Sequence, residues 1–245
     1  MGHNADVTDF PDVLPFGRVP AHVWYARGVL QVARDLLGAC ITTRTADGDV
    51  TVRLTEVEAY GGENDPASHA YRGRSARNSR MFGEPGRLYV YCHLGLHDCV
   101  NVVTEPTGRP SAVLLRAGEV TAGAELAWRR RTRRGVVDNV RQLARGPARL
   151  AVCLGLGLDD NGEDVTEAAG RVVVHRVEAA AYPGSTAAGS RVGVAGPGGD
   201  PARYPWRLWF TNEPTVSAFR PAHRTPPSAA APSVATAPAR SIHRP

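Results

Sequence analysis

No lysine occurs anywhere in the sequence, and all 29 basic residues are arginine. No lysine amine is therefore present to form a Schiff base with an opened sugar or another carbonyl. Cysteine is scarce: Cys40, Cys92, Cys99 and Cys153 are the four, and no two stand as C-x-x-C. That spacing argues against a structural zinc or an iron–sulfur cluster, and buried, reduced thiols are expected. No run approaches the ~18 consecutive apolar residues of a membrane span. The opening MGHNADVTDF lacks the basic-then-apolar order of a secretory signal. It also lacks the Ser or Thr that a myristoylation site would need at position 6. A cytoplasmic monomer without membrane contact is the expectation. The net charge is +5, but residues 221–245 hold three arginines and no acid, leaving 26 arginines against 24 acids in the rest. A polyanionic partner would have to be met by local patches, not by bulk charge.

Along the chain, residues 1–19 read as an irregular arm, 20–220 as a folded domain, and 221–245 as a disordered Pro/Ala-rich tail that cannot bury enough apolar surface to offset its ordering. ARGVLQVARDLL (26–37) has helical spacing and ends before Gly38. Strands are expected at 39–45 and 49–59 around Asp47-Gly48, a hairpin signal. Further strands are expected at 87–94, 112–117, 171–177 and 206–211, and helices at 119–131 and 147–156. Short strands with few helices between them indicate an α+β domain, largely antiparallel.

Two carboxylates stand out. In TVRLTEVEAY, strict alternation puts Glu56 and Glu58 on the same face as Val52 and Leu54. A carboxylate beside apolar neighbours is a candidate general base, and Glu58, at a strand end before a Gly-Gly turn, could sit at a cleft floor. Tyr60 shares its face, and Tyr89 and Tyr91 share a face with each other, which suits a stacking platform for a flat base as well as a core. Two arginine clusters follow. HAYRGRSARNSRM carries Arg72, Arg74, Arg77 and Arg80; WRRRTRRG carries Arg129, Arg130, Arg131, Arg133 and Arg134. Such density in a nearly neutral domain fits phosphate contacts. His93 and His97 beside Cys99 suggest a metal at first sight, but a zinc site needs three or four compact ligands, and no metal or other cofactor is expected. GVAGPGGD lacks the strand-to-helix setting of a dinucleotide fingerprint.

Taken together, "DLLG", "TEVEAYGGENDPASHAYRGRSARNSRMFGEPGRLYVY", "GLHDCVNVV", "AVLLRAGEV", "LARGPARL" and "RVGVAG" resemble the alkyladenine (3-methyladenine, methylpurine) DNA glycosylases over roughly residues 20–220. The resemblance implies one compact mixed domain around a curved, mainly antiparallel sheet with flanking helices. It implies a base-excision-repair enzyme that flips an alkylated or deaminated purine from double-stranded DNA and hydrolyses its glycosidic bond. By the same resemblance Glu58 activates the water; Tyr60, His69 and Tyr91 sandwich the base; Asn101 crowds the amine of normal guanine; Arg116 and the backbone of Val192 place the water and nucleotide. Arg72, Arg74, Arg77, Arg129, Arg130 and Arg131 are the expected DNA-backbone contacts. The wedge position falls on Leu94 where the family usually has tyrosine, and His93 and Asp98 are atypical. The absence of lysine further suggests a monofunctional enzyme. Two rivals are a non-catalytic nucleic-acid-binding domain that uses only the arginines, and a metal-dependent hydrolase built on His93 and His97.

Overall fold

A computed structural model describes residues 17–176 and 184–222. Most of the expected arm and tail therefore lies outside the described residues. The first described elements are a short helical turn, α1 (His22–Tyr25), and α2 (Val29–Leu36), whose Val29, Val32, Ala33 and Leu36 are buried. A hairpin follows, β1 (Cys40–Thr45) and β2 (Gly48–Tyr60), then β3 (Leu88–His93), β4 (His97–Val103) and β5 (Ala112–Ala122). Next come α3 (Ala124–Thr132), β6 (Ala144–Arg145), α4 (Pro147–Leu154), β7 (Val172–His175), β8 (Thr186–Gly189) and β9 (Arg207–Phe210).

The strands form one sheet in the order β3-β4-β5-β2-β1-β7, with β9 on β2 and β8 on β9; all the pairings are antiparallel. The sheet stays open, with β3 and β7 at the ends of its main path, and does not curl strongly. Helices α2, α3 and α4 cover one face. Between helices and sheet lies the main core, whose Val and Leu side chains include Val52, Leu54, Val57, Val100, Val102, Val113, Leu115, Leu150 and Leu154. Each such branched side chain contributes about 1.5–3 kcal/mol on full burial. The opposite face, away from the helices, carries the polar residues.

Two expectations fail here for identifiable reasons. Residues 119–122 are not helical: β5 continues to Ala122 because Glu119, Val120 and Ala122 pair with Arg53, Val52 and Thr51. Gly123, at φ 73°, then turns the chain into α3, where any Cβ would run into the Asp49 carbonyl. The second failure concerns the face of the two glutamates. Core residues on β2 are Val50, Val52 and Leu54, and then Val57 and Ala59. The alternation slips by one because Thr55 has no partner opposite it on β5; a matching slip leaves Arg116 without one on β2. Bulges of this kind re-aim side chains. They send Glu56 and Glu58 to the face opposite Val52 and Leu54.

Candidate active site

The register now brings one row of side chains together across five strands. Tyr89 on β3 faces Asn101 on β4, Asn101 faces Leu114 on β5, Leu114 faces Glu58 on β2, and Glu58 faces Arg207 on β9. Paired residues share a face of a sheet, so strand pairing alone assembles residues far apart in sequence. Tyr91 pairs with Cys99 and Tyr60 with Ala112 on the same side.

Glu58 is fully buried. Its Oε1 accepts from the Val192 N–H at 2.7 Å, and its Oε2 accepts from the Tyr60 hydroxyl at 2.9 Å and from Arg116 Nη1 at 3.3 Å. The apolar surroundings expected for it are thus replaced by three donors. A carboxylate offers about four acceptor sites, so Oε1 retains capacity for one more donor. Glu56, also fully buried, accepts from Arg116 Nε at 2.8 Å, Arg207 Nε at 2.6 Å and the Ser217 N–H at 2.8 Å. Burial pushes the Glu56 carboxyl up, but Arg116, the Ser217 side chain and Arg207 outweigh it and hold the group below its ordinary value. Two glutamates and two arginines therefore balance in one buried set. The bulge at Arg116 is what lets a single guanidinium reach both acids.

Above this set lies a cavity of about 360 Å³. Its walls include Tyr60, His69, Tyr91, Asn101, Arg116 and Val192; Glu58 lies behind them, and its three donors belong to lining residues. The His69 and Tyr91 rings meet edge to face at 4.5 Å and make one wall. Tyr60 stands on β2, three strands from the β3 that carries Tyr91. The Tyr89 hydroxyl shares a hydrogen bond with His69 Nδ1 at 2.9 Å. Burial, then the charges of Arg77 and His93, lower the His69 pKa and favour its neutral ring. Burial raises Tyr60 and Tyr91 well above the ordinary phenol, and Tyr89 to about 12 despite the pull of Arg77. All three are neutral phenols at pH 7. Asn101 Nδ2 donates to the Tyr89 carbonyl at 2.9 Å, which fixes its amide against the cavity. Gly62, at φ 66°, approaches the Pro110 carbonyl so closely that no side chain fits, and this seats the turn after Tyr60.

The sequence profile described as methylpurine-DNA glycosylase (MPG) matches residues 23–214. The chain belongs to the methylpurine-DNA glycosylase family. It is a DNA N-glycosylase, a hydrolase. Curated relatives named "Putative 3-methyladenine DNA glycosylase" include one from Streptomyces avermitilis, 48% identical over 210 residues, covering 86% of this chain and 94% of the relative. Another from Leifsonia xyli subsp. xyli is 48% identical over 193 residues, covering 78% and 88%. One from Mycobacterium tuberculosis is 43% identical over 204 residues, covering 79% and 91%.

The remaining candidate residues fall into distinct settings. Leu94 is 80% exposed at the tip of the β3–β4 hairpin, with φ 52°, and does not join Leu88 and Val90 in the core. Leu96, across Gly95, is 73% exposed. His93 pairs with His97 at the base of the tip, and the described residues hold no group of three potential metal ligands. Arg72, Arg74 and Arg77 are exposed on a loop pinned by Asn78, whose side chain bonds the His69 and Gly73 carbonyls and the Ser75 N–H. The second cluster divides. Arg129, Arg133 and Arg134 are exposed. Arg130 donates to the Cys153 carbonyl at 3.2 Å and to Thr45 Oγ1 at 2.9 Å. Arg131 is only 5% exposed, and its Nε donates to the Leu143 carbonyl at 2.9 Å. The latter two are struts joining α3 to its surroundings, a setting that the spacing of arginines did not disclose.

The sequence reading passed over Arg207, Ser217, Asp65 and Arg191. Arg207 and Ser217 carry no local pattern, and only the fold brings them to Glu56. Asp65 and Arg191 do lie within the stretches ENDPASH and RVGVAG that carry the resemblance. Among the described residues, no helix is long and apolar enough to cross a membrane.

Proposed function

We propose that the chain removes alkylated purines, 3-methyladenine among them, from duplex DNA, with Glu58 as the base that activates water. The observation that carries the reading is a buried carboxylate held by three donors beneath a cavity of aromatic walls. The cavity, about 360 Å³, falls in the ~300–1,000 Å³ range of small-ligand sites. A flipped base would stack between Tyr60 on one side and the His69–Tyr91 pair on the other. Stacking offsets the few kcal/mol that extrusion costs, a cost lowest at damaged pairs. Asn101, fixed by the Tyr89 carbonyl, would narrow the space beside the base's edge.

In the chemical step Glu58 Oε1 takes a proton from water as the water oxygen bonds to C1′. The bond from C1′ to the purine nitrogen breaks, and its electron pair stays with the base. A 3-methylated purine nucleoside is cationic, so its base leaves neutral without a protonated partner. Arg116 and the Val192 N–H hold the carboxylate in line. General-base help of this kind typically contributes ~10²–10⁴-fold. The exposed Leu94 would fill the gap left in the stack, as apolar wedges do. Arg72, Arg74, Arg77 and Arg129 would meet the backbone from their exposed positions.

Duplex DNA methylated with dimethyl sulfate provides the test. Free 3-methyladenine should appear in solution while the strands stay intact until alkali is added, since no lysine amine can attack the opened sugar. No release of methylated base, or an enzyme–DNA adduct trapped by borohydride, would refute this reading.

A further inference from the structure

Arg191 is the largest fully buried side chain in the described protein. Its fork grips Asp65, Nη1 to Oδ2 at 2.5 Å and Nη2 to Oδ1 at 2.7 Å. Nη1 also donates to the Ala59 carbonyl at 2.9 Å and Nη2 to the Gly198 carbonyl at 2.7 Å. Asp65 in turn accepts from the Gly61 and Ala67 N–H groups. The pair thus ties three segments together: the end of β2, the turn after Tyr60, and the loop from 190 to 199. Arg191 Nε is buried without a partner. A buried ion pair is weak evidence for a stabilising role, because well-packed apolar residues often serve as well or better. The ring cluster of Tyr60, Tyr204 and Trp206 around the guanidinium could have closed over an apolar side chain. What an apolar residue could not supply is direction.

Direction matters for two of the three donors on Glu58. The Val192 N–H belongs to the peptide unit that follows Arg191, and it meets Oε1 at 2.7 Å. The Tyr60 ring lies 4.7 Å from the Arg191 guanidinium, and its hydroxyl meets Oε2 at 2.9 Å. We propose that Arg191, locked by Asp65, is a positioning residue that aims the Val192 N–H and the Tyr60 hydroxyl at Glu58 and thereby sets the orientation of the water-activating carboxylate. The inference rests on the reading of Glu58 as the base. Arg191 itself does not line the cavity above Glu58, so its influence passes through its two neighbours.

Arg191→Lys and Asp65→Asn are the informative variants. Lysine keeps a cation but not the fork; asparagine keeps the shape but not the charge. Single-turnover release of 3-methyladenine from dimethyl sulfate-treated duplex should fall about 10–100-fold, the scale of a misplacement near 1 Å. Affinity for a duplex carrying a tetrahydrofuran abasic analogue should stay within about threefold of the parent, because the DNA-facing surface is untouched. Release within about threefold of the parent in both variants would overturn the proposal. So would losses of rate and affinity of equal size, which mean general loosening. If Arg191→Lys does not fold, the isosteric Asp65→Asn decides by the same split; if neither variant folds, the pair is a stability element and the positioning role is refuted. Glu58→Gln runs alongside. If it releases base at near-parental rate, the reading of Glu58 fails; if it is inactive while both clamp variants are unimpaired, only the role of Arg191 fails.

Discussion

Glu56→Gln removes one charge from the centre of a buried four-group set and should be strongly destabilising. The carboxylate receives Arg116 Nε, Arg207 Nε and the Ser217 N–H, and both guanidinium groups are buried with it. An amide offers one acceptor oxygen and turns an NH₂ toward a donor. Breaking a buried pair in this way typically costs about 3–5 kcal/mol, because the partner charge is left uncompensated. For a domain of this size each kcal/mol shifts the melting temperature by roughly 2–4 °C, so the expected fall is roughly 6–20 °C at pH 7. The dependence on pH has a definite sign. The folded Glu56 carboxyl lies below its ordinary value. Its contribution is therefore complete above the unfolded carboxyl range, near pH 4.3, and is lost as pH falls through the lower folded value. The gap in melting temperature between parent and variant should be widest at neutral pH and close in acid, where a protonated Glu56 resembles glutamine. Thermal denaturation followed by circular dichroism at several pH values reads this directly. A fall of less than 3 °C at pH 7, or a gap that widens in acid, would refute the charge-balance argument.

Two further outcomes follow from exposure and burial. Leu94→Ala should move stability by no more than about 0.5 kcal/mol, as surface changes do, where a core leucine would cost about 2–5 kcal/mol; the same variant should slow base release from well-paired lesions more than from mispaired ones. Reversing Arg133 and Arg134 to Glu should weaken damaged and undamaged duplexes alike and flatten the salt dependence. Arg131→Ala should chiefly lower the melting temperature, because its guanidinium serves the Leu143 carbonyl; a selective loss of lesion binding in either arginine experiment would refute this division.

Much of the fold was legible because the periodic signals are strong. The β1–β2 hairpin, β3, α2 and α4 were all expected in place, and α2 buries Val29, Val32, Ala33 and Leu36 as its periodicity selects. Alternation failed where a bulge intervenes. Nothing in TVRLTEVEAY marks Thr55 as the residue that loses its partner, so the face of Glu56 and Glu58 was read one step wrong. The extension of β5 past Ala117 was missed because EVTA suits a helix start as well as a strand end until β2 pairs with it. β4 was passed over as well. Its Val100 and Val102 alternate into the core, but the other face carries His97, Cys99 and Asn101, which suit a cavity better than a solvent face. Of the cavity residues, Tyr60 and Tyr91 stood out by their strand faces and His69, Asn101 and Arg116 by resemblance; the register brings Tyr60, Tyr91 and Asn101 to one side of the sheet. Charge density alone could not separate Arg131, turned inward, from Arg133 and Arg134 beside it.

The central claim is that the buried Glu58 carboxylate drives hydrolysis, and Glu58→Gln under single-turnover conditions tests it most directly. The variant keeps the side-chain shape beneath Tyr60, Arg116 and Val192 but cannot take a proton from water. Release of 3-methyladenine from dimethyl sulfate-treated duplex should fall by ~10²–10⁴-fold, while binding to a tetrahydrofuran-containing duplex persists. A Glu58→Gln protein that binds this duplex and releases base at a rate near the parent's would contradict the account.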